Sequence, residues 1–160
     1  MEGQDNEKLY LFNPFNIQKI SDEELKKLYN ETYDMLIKDC NTMWELATNE
    51  EIYSNLEYLT GEIIARLTED IDILKNQIDI DISTNTVEER NQWNIEKDGK
   101  APALDYFKGV AKRISKKDTD LLSKKGSNLI RFKYNYRSLE EKINALKKKQ
   151  ESIKYEEFNG

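Results

Sequence analysis

Ten positions between Leu122 and Ile153, spaced alternately three and four residues apart, constrain this chain more than any other feature. They hold Leu122, Lys125, Leu129, Phe132, Tyr136, Leu139, Ile143, Leu146, Gln150 and Ile153. Eight of the ten are apolar, which is the 3.5-residue repeat of a helix that must lay one stripe against a partner. The pattern predicts a helix over about 119–155, roughly 50 Å long at 1.5 Å per residue, with Asp118 or Thr119 as its cap. Gly126 weakens only its first turns.

A second stripe of comparable length precedes it. Ile52, Leu56, Leu59, Ile63, Leu67, Ile71, Leu74 and Ile78 recur in steps of three and four, so one nearly straight helix is expected over about 50–80, capped by Asn49. Gly61 lies inside it and costs up to about 1 kcal/mol against alanine, a cost that suits a close approach by a neighbouring helix. Ile78 to Ile82 alternates with aspartate and is read as the helix end. The economical arrangement is an all-α fold: an antiparallel hairpin or coiled coil of about 50–80 with 119–155, plus shorter helices.

Shorter signals fill the gaps. Ser21 and Glu24 form a capping box that opens a helix over about 22–40, with Leu25, Leu28, Thr32, Met35 and Leu36 on one face and Tyr29, Tyr33, Ile37 and Cys40 on a second stripe. After a polar break at Ser83-Thr84-Asn85, Thr86 and Glu89 read as another box, starting a short helix that Asp98-Gly99 ends. Pro102 suits the first turn of a further helix, lined by Leu104, Phe107, Val110, Ala111 and Ile114. Residues 1–20 have no sustained period. Leu9 to Phe15, broken by Asn13-Pro14, reads as an irregular arm or docking strand ahead of a single elongated helical domain over 21–160. Trp44 and Trp93 read as core or interface anchors, and Cys40 as a small buried apolar group.

Charge divides the chain. Residues 1–96 carry 22 acidic and 8 basic side chains, a net of −14, whereas 97–154 carry 7 acidic and 17 basic, a net of +10. An acidic half and a basic half point either to nucleic acid, to a self-complementary assembly, or to halves that cancel within the fold.

Composition removes several chemistries. With no histidine and one cysteine, the chain lacks Ser-His-Asp and Cys-His nucleophile systems, histidine-ligated zinc and a disulfide framework. No phosphate-binding glycine loop or metal-ligand motif occurs. The acid groups Glu69/Asp70/Asp72 and Asp79/Asp81 fall off the apolar stripe, on a solvated face. The expectation is a non-enzymatic protein without metal or cofactor. No apolar run approaches the ~20 residues that span a bilayer, and the N-terminus lacks signal-peptide charge order. Cytoplasm is the expected compartment, the host's if the protein is phage-encoded.

The basic half carries the candidate site. Lys108, Lys112, Arg113, Lys116 and Lys117 lead into Lys124 and Lys125, and then to Arg131, Lys133, Tyr134 and Arg137 around Phe132 and Tyr136. Single-stranded nucleic acid is held by cations on its phosphates and flat rings under its bases. Tyr134 lies off the seam and is free to stack. The bland alternative is a row of Lys and Arg solvating a coiled-coil flank.

Ala103-Leu104-Asp105-Tyr106-Phe107-Lys108-Gly109-Val110-Ala111, then an aspartate-containing break at Lys117-Asp118-Thr119-Asp120, then a long helix ending in lysines, is a recognisable succession. From Glu88 to about Tyr155 it resembles the C-terminal part of small all-helical phage recombination mediators of the UvsY type. Lys, Asn and Ile together make up 51 of the 160 residues, in keeping with an AT-rich phage or host. The resemblance implies a ring-forming homo-oligomer that binds single-stranded DNA and helps a recombinase displace single-strand-binding protein, with Lys112, Arg113, Lys116 and Lys124 in the zone that would grip phosphates. The rival reading is a protein-interaction module. It could be an anti-defence inhibitor whose acidic surface mimics DNA, or an adaptor within a larger assembly.

Overall fold

The computed structural model describes residues 14–96 and 102–159. Among them every regular element is helical: α1 (Pro14–Ile17), α2 (Asp22–Asp34), α3 (Met43–Glu96), α4 (Leu104–Ile114) and α5 (Lys116–Asn159). The backbone divides into two compact units, one of Met1–Arg66 with Arg131–Gly160 and one of Leu67–Ile130. Within each, a stretch of α3 runs antiparallel to a stretch of α5, the helical hairpin that the two stripes require.

In the first unit, α1, α2, α3 and α5 share the core. Ile17, Leu25, Leu28 and Leu59 form one buried cluster, and Ile52, Leu56 and Leu139 another, with Tyr29 packed against both. Leu139 and Ile143 are buried, and Phe132, Tyr136, Leu146 and Ile153 are half-buried, as is Leu129 in the second unit, so the seam residues are covered where the repeat places them. The register is antiparallel: Glu50 accepts from Gln150 at 2.5 Å and lies 3.9 Å from Lys147, while Lys142 sits over the Tyr53 ring. Tyr136 donates to Glu57, and that bond, with burial and the nearby Glu140, holds its phenol above the usual value. Arg66 joins three elements, donating to Asp22 at 2.8 Å, to Glu62 at 3.0 Å and to the Ile17 carbonyl at 2.8 Å.

The Ser21 capping box is present, with Glu24 N–H on Ser21 Oγ and Ser21 N–H on Glu24 Oε2. α2, however, stops at Asp34, six residues short of the expected end. Leu36 and Ile37 continue the apolar pattern, yet they are half-buried in a loop, Leu36 against the Ile52–Leu56–Leu139 cluster. Asn49 makes this stable. Instead of capping a helix it lies within α3, buried. Its Oδ1 accepts from Ile37 N–H and its Nδ2 donates to Ile37 C=O, both at 2.8 Å. The carboxamide thus replaces the helical bonds that Ile37 gives up. Cys40 belongs to this loop, half-buried beside Asn49 and not on a helix stripe. Asp39 turns the loop with φ at 55°.

The true N-terminus of α3 is a box that the sequence reading passed over. Glu45 N–H donates to Thr42 Oγ1, while the N–H groups of Asn41 and Thr42 both donate to Glu45 Oε2. Those two backbone donors hold the exposed carboxyl below its ordinary range. The helix then continues through Ser83-Thr84-Asn85 and Thr86 to Glu96. No helix starts at Thr86, whose hydroxyl bonds back to the Ile82 carbonyl and whose side chain is buried. Three polar residues of middling propensity cost only tenths of a kcal/mol each. Burial of Ile71, Ile78 and Thr86 along one face outweighs that.

In the second unit the buried Phe107 ring of α4 meets Trp93 of α3 and Tyr106 edge-on at centroid distances of 6.1 and 5.5 Å. Ala111 and Ser115 are buried as well. α4 begins at Leu104 with Ala103 as its cap, so Pro102 precedes the first turn. Neither Asp118 nor Thr119 caps α5. The helix starts at Lys116, and Thr119 Oγ1 bonds back to Ser115. Trp44, expected as an anchor, is 72% exposed. Residues 14–17 form a helical turn and Ile17 is buried, so that end of the expected arm is part of the core. Its Leu9 to Asn13 portion, and the Asp98-Gly99 stop, lie outside the described residues.

Two substitutions test this packing. Asn49→Ala should lower stability by about 1–3 kcal/mol, the cost of leaving buried backbone groups unpaired; an unchanged denaturation midpoint would contradict the loop assignment. At Gly61, an added Cβ would lie 3.8 Å from the Tyr136 ring, ordinary contact. The close approach therefore leaves room for a methyl group, and Gly61→Ala should raise stability by up to about 1 kcal/mol in a thermal melt.

Candidate nucleic-acid interface

The basic residues group by unit, because α4 ends and α5 begins inside the second one. Ser115 N–H closes on the Ala111 carbonyl at 3.1 Å and Thr119 N–H on the Ser115 carbonyl at 3.0 Å. Helical bonding thus ends on one side of Ser115 and resumes on the other, with the two helices meeting at that residue. Lys108 and Lys112 share one side of α4, Arg113 stands at its end, and Lys116 and Lys117 open α5. All five are exposed, as is Lys124.

Among the described residues none of these six makes an ion pair. Lys108 and Lys112, four apart on α4, repel by about 0.2–0.5 kcal/mol. Lys112 and Arg113 lie in the last turn of α4, where the helix end favours cations, whereas Lys116 and Lys117 open α5, where the helix end disfavours them.

Lys125 behaves differently. It is half-buried on the seam and pairs with Asp70 at 3.4 Å, so it belongs to the helix–helix contact and leaves the candidate set. Leu122, next to it in the repeat, is half-buried as well.

In the first unit, Arg131, Lys133, Tyr134 and Arg137 are all exposed on α5, away from its buried Leu139–Ile143 face. Tyr134 is 67% exposed, and Arg137 lies one turn further on the same side. Phe132 and Tyr136, between them in sequence, face the core.

The acid groups do not converge. Glu69, Asp70, Asp72 and Asp79 are exposed and Asp81 is half-exposed, and among the described residues no group of three or more His, Cys, Asp or Glu could hold a metal ion. Among the same residues no helix is long and apolar enough to cross a membrane. One residue that sequence reasoning passed over is Tyr106, half-exposed, stacked edge-on to Trp93 and Phe107 and two turns from Arg113 on the same side of α4. Its i,i+7 spacing to Arg113 was the available signal. No family model, curated protein or solved structure matches this chain.

Because these cations make no ion pair among the described residues, reversing them should not unfold the protein. Replacing Lys112, Arg113, Lys116 and Lys117 with Glu should leave the melting temperature unchanged or slightly higher. A marked loss of stability would mean that the acidic half neutralises these charges within the fold.

Proposed function

We propose that this protein is a non-enzymatic accessory factor that binds single-stranded DNA through Lys108 and Lys112 of α4 and Lys116 of α5, with Arg113, Lys117 and Lys124 adding charge beside them. The observation that carries the reading is that these cations are exposed, of one sign and so mutually repelling where they share a helix, and, among the described residues, without a salt-bridge partner. Phosphates spaced along a strand relieve that repulsion, and each neutralised phosphate releases condensed counterion. Tyr134, flanked on its helix by Lys133 and Arg137, is the ring on which a base would stack. In the setting that the phage-mediator resemblance suggests, the factor would assist recombination or replication proteins in the host cytoplasm, with a recombinase or single-strand-binding protein as its protein partner.

The test is binding of a labelled single-stranded oligonucleotide across a salt series. Affinity should fall with salt at a slope of roughly −0.7 per phosphate contact. Changing Lys108, Lys112 and Lys116 to Glu should weaken binding to all sequences and flatten that slope. Tyr134→Ala should cost roughly 1–3 kcal/mol with the slope nearly unchanged. No binding at about 50 mM salt would overturn the reading and favour the acidic surfaces as the functional ones.

A further inference from the structure

Within the second unit, α3 buries Ile71 and Ile78 and turns the opposite face outward. There Ile73, Ile80 and Val87 follow one another at seven-residue spacing, 61%, 58% and 58% exposed. A lone exposed apolar side chain needs no explanation, but three β-branched residues in strict heptad register form the layer that a helical partner packs against. Glu69, Asp72 and Asp79, all exposed, line one border of this strip.

That border selects the occupant. Packing the strip against its own counterpart in another copy would oppose carboxylates, so a stable partner must present an apolar strip edged by cations. This chain carries one. Ile114, which ends α4, and Leu121, in the second turn of α5, are 56% and 44% exposed on the two sides of the turn at Ser115. Arg113 precedes Ile114, and Lys117 and Lys124 stand one turn to either side of Leu121 on α5, with Asp120 beside them. Lys108 and Lys112 lie on the other side of α4 from Ile114, and Lys116 on the other side of α5 from Leu121, so all three are left clear.

We propose that the Ile73–Ile80–Val87 strip of one molecule docks on the Ile114–Leu121 strip of a second copy, with Glu69, Asp72 and Asp79 opposite Arg113, Lys117 and Lys124. Each molecule has both strips, so the contact is made twice in a closed pair or once per neighbour in a ring. Arg113, Lys117 and Lys124 also belong to the DNA site proposed above, so this contact competes with nucleic acid for them, and it is tested on the full chain freed of nucleic acid.

Sedimentation of wild-type protein across the micromolar range should show concentration-dependent association that weakens with salt. One variant carries Glu69→Lys, Asp72→Lys and Asp79→Lys; the other carries Arg113→Glu, Lys117→Glu and Lys124→Glu. Each alone should sediment as a monomer with unchanged helicity, because its two strips now share one sign. Mixed in equal amounts they should associate, since every contact again pairs opposite charges. Association that persists in either variant alone, or a mixture that stays monomeric, would overturn the proposal. So would a wild-type chain that stays monomeric across that range.

Discussion

Neither long helix can be stable alone, because each carries an apolar stripe on one side only. α3 and α5 solve this by lying antiparallel within each unit, and the rest of the structure follows from that contact. Burying a side chain such as Leu56 or Leu139 contributes about 1.5–3 kcal/mol, and in the first unit α2 closes the same seam through Leu25, Leu28 and Tyr29. The loop at 35–42 depends on it in turn. Leu36 packs onto the seam, Asn49 ties Ile37 to α3, and Lys149 of α5 reaches the Cys40 carbonyl at 3.1 Å. The end of α5 and the start of α3 therefore hold one connection together.

The seam also decides which charges remain available. Among the described residues it consumes few of them: Asp70 with Lys125, and Glu50 with Lys147 and Gln150. Exposed pairs of this kind are worth at most about 1 kcal/mol, so cohesion is apolar and the acidic and basic halves are not spent on each other. That separation is the physical basis for the function proposed above. Exposed cations at the α4–α5 turn, and carboxylates beside an outward apolar strip on α3, are the surfaces on which the two proposals above rest.

Aromatic residues show the same division of labour. Phe107 anchors the second unit with Trp93 and Tyr106 around it, and Tyr136 fills the first unit's seam while bonded to Glu57. Tyr134, two residues before Tyr136, is turned by the helical period to the opposite side. Neighbouring tyrosines thus serve different ends for a reason of geometry alone.

Hydrophobic spacing by itself determined the all-α class, the two long stripes and their antiparallel pairing, because burial of a periodic face is a strong and additive signal. It placed Leu56, Leu59, Leu139 and Ile143 in the core and Tyr134 outside. Helix ends were a different matter. Thr42 and Thr86 each stand three residues before a glutamate, yet only Thr42 caps a helix. The difference in free energy between capping and continuing is small, and the buried face of Ile71, Ile78 and Thr86 tips it. Whether Asn49 caps a helix or holds a loop, and whether Lys125 faces solvent or Asp70, depends on which group the folded chain brings alongside. Those groups stand 12 and 55 residues away in sequence, beyond the reach of any local pattern, so only the tertiary structure could decide them.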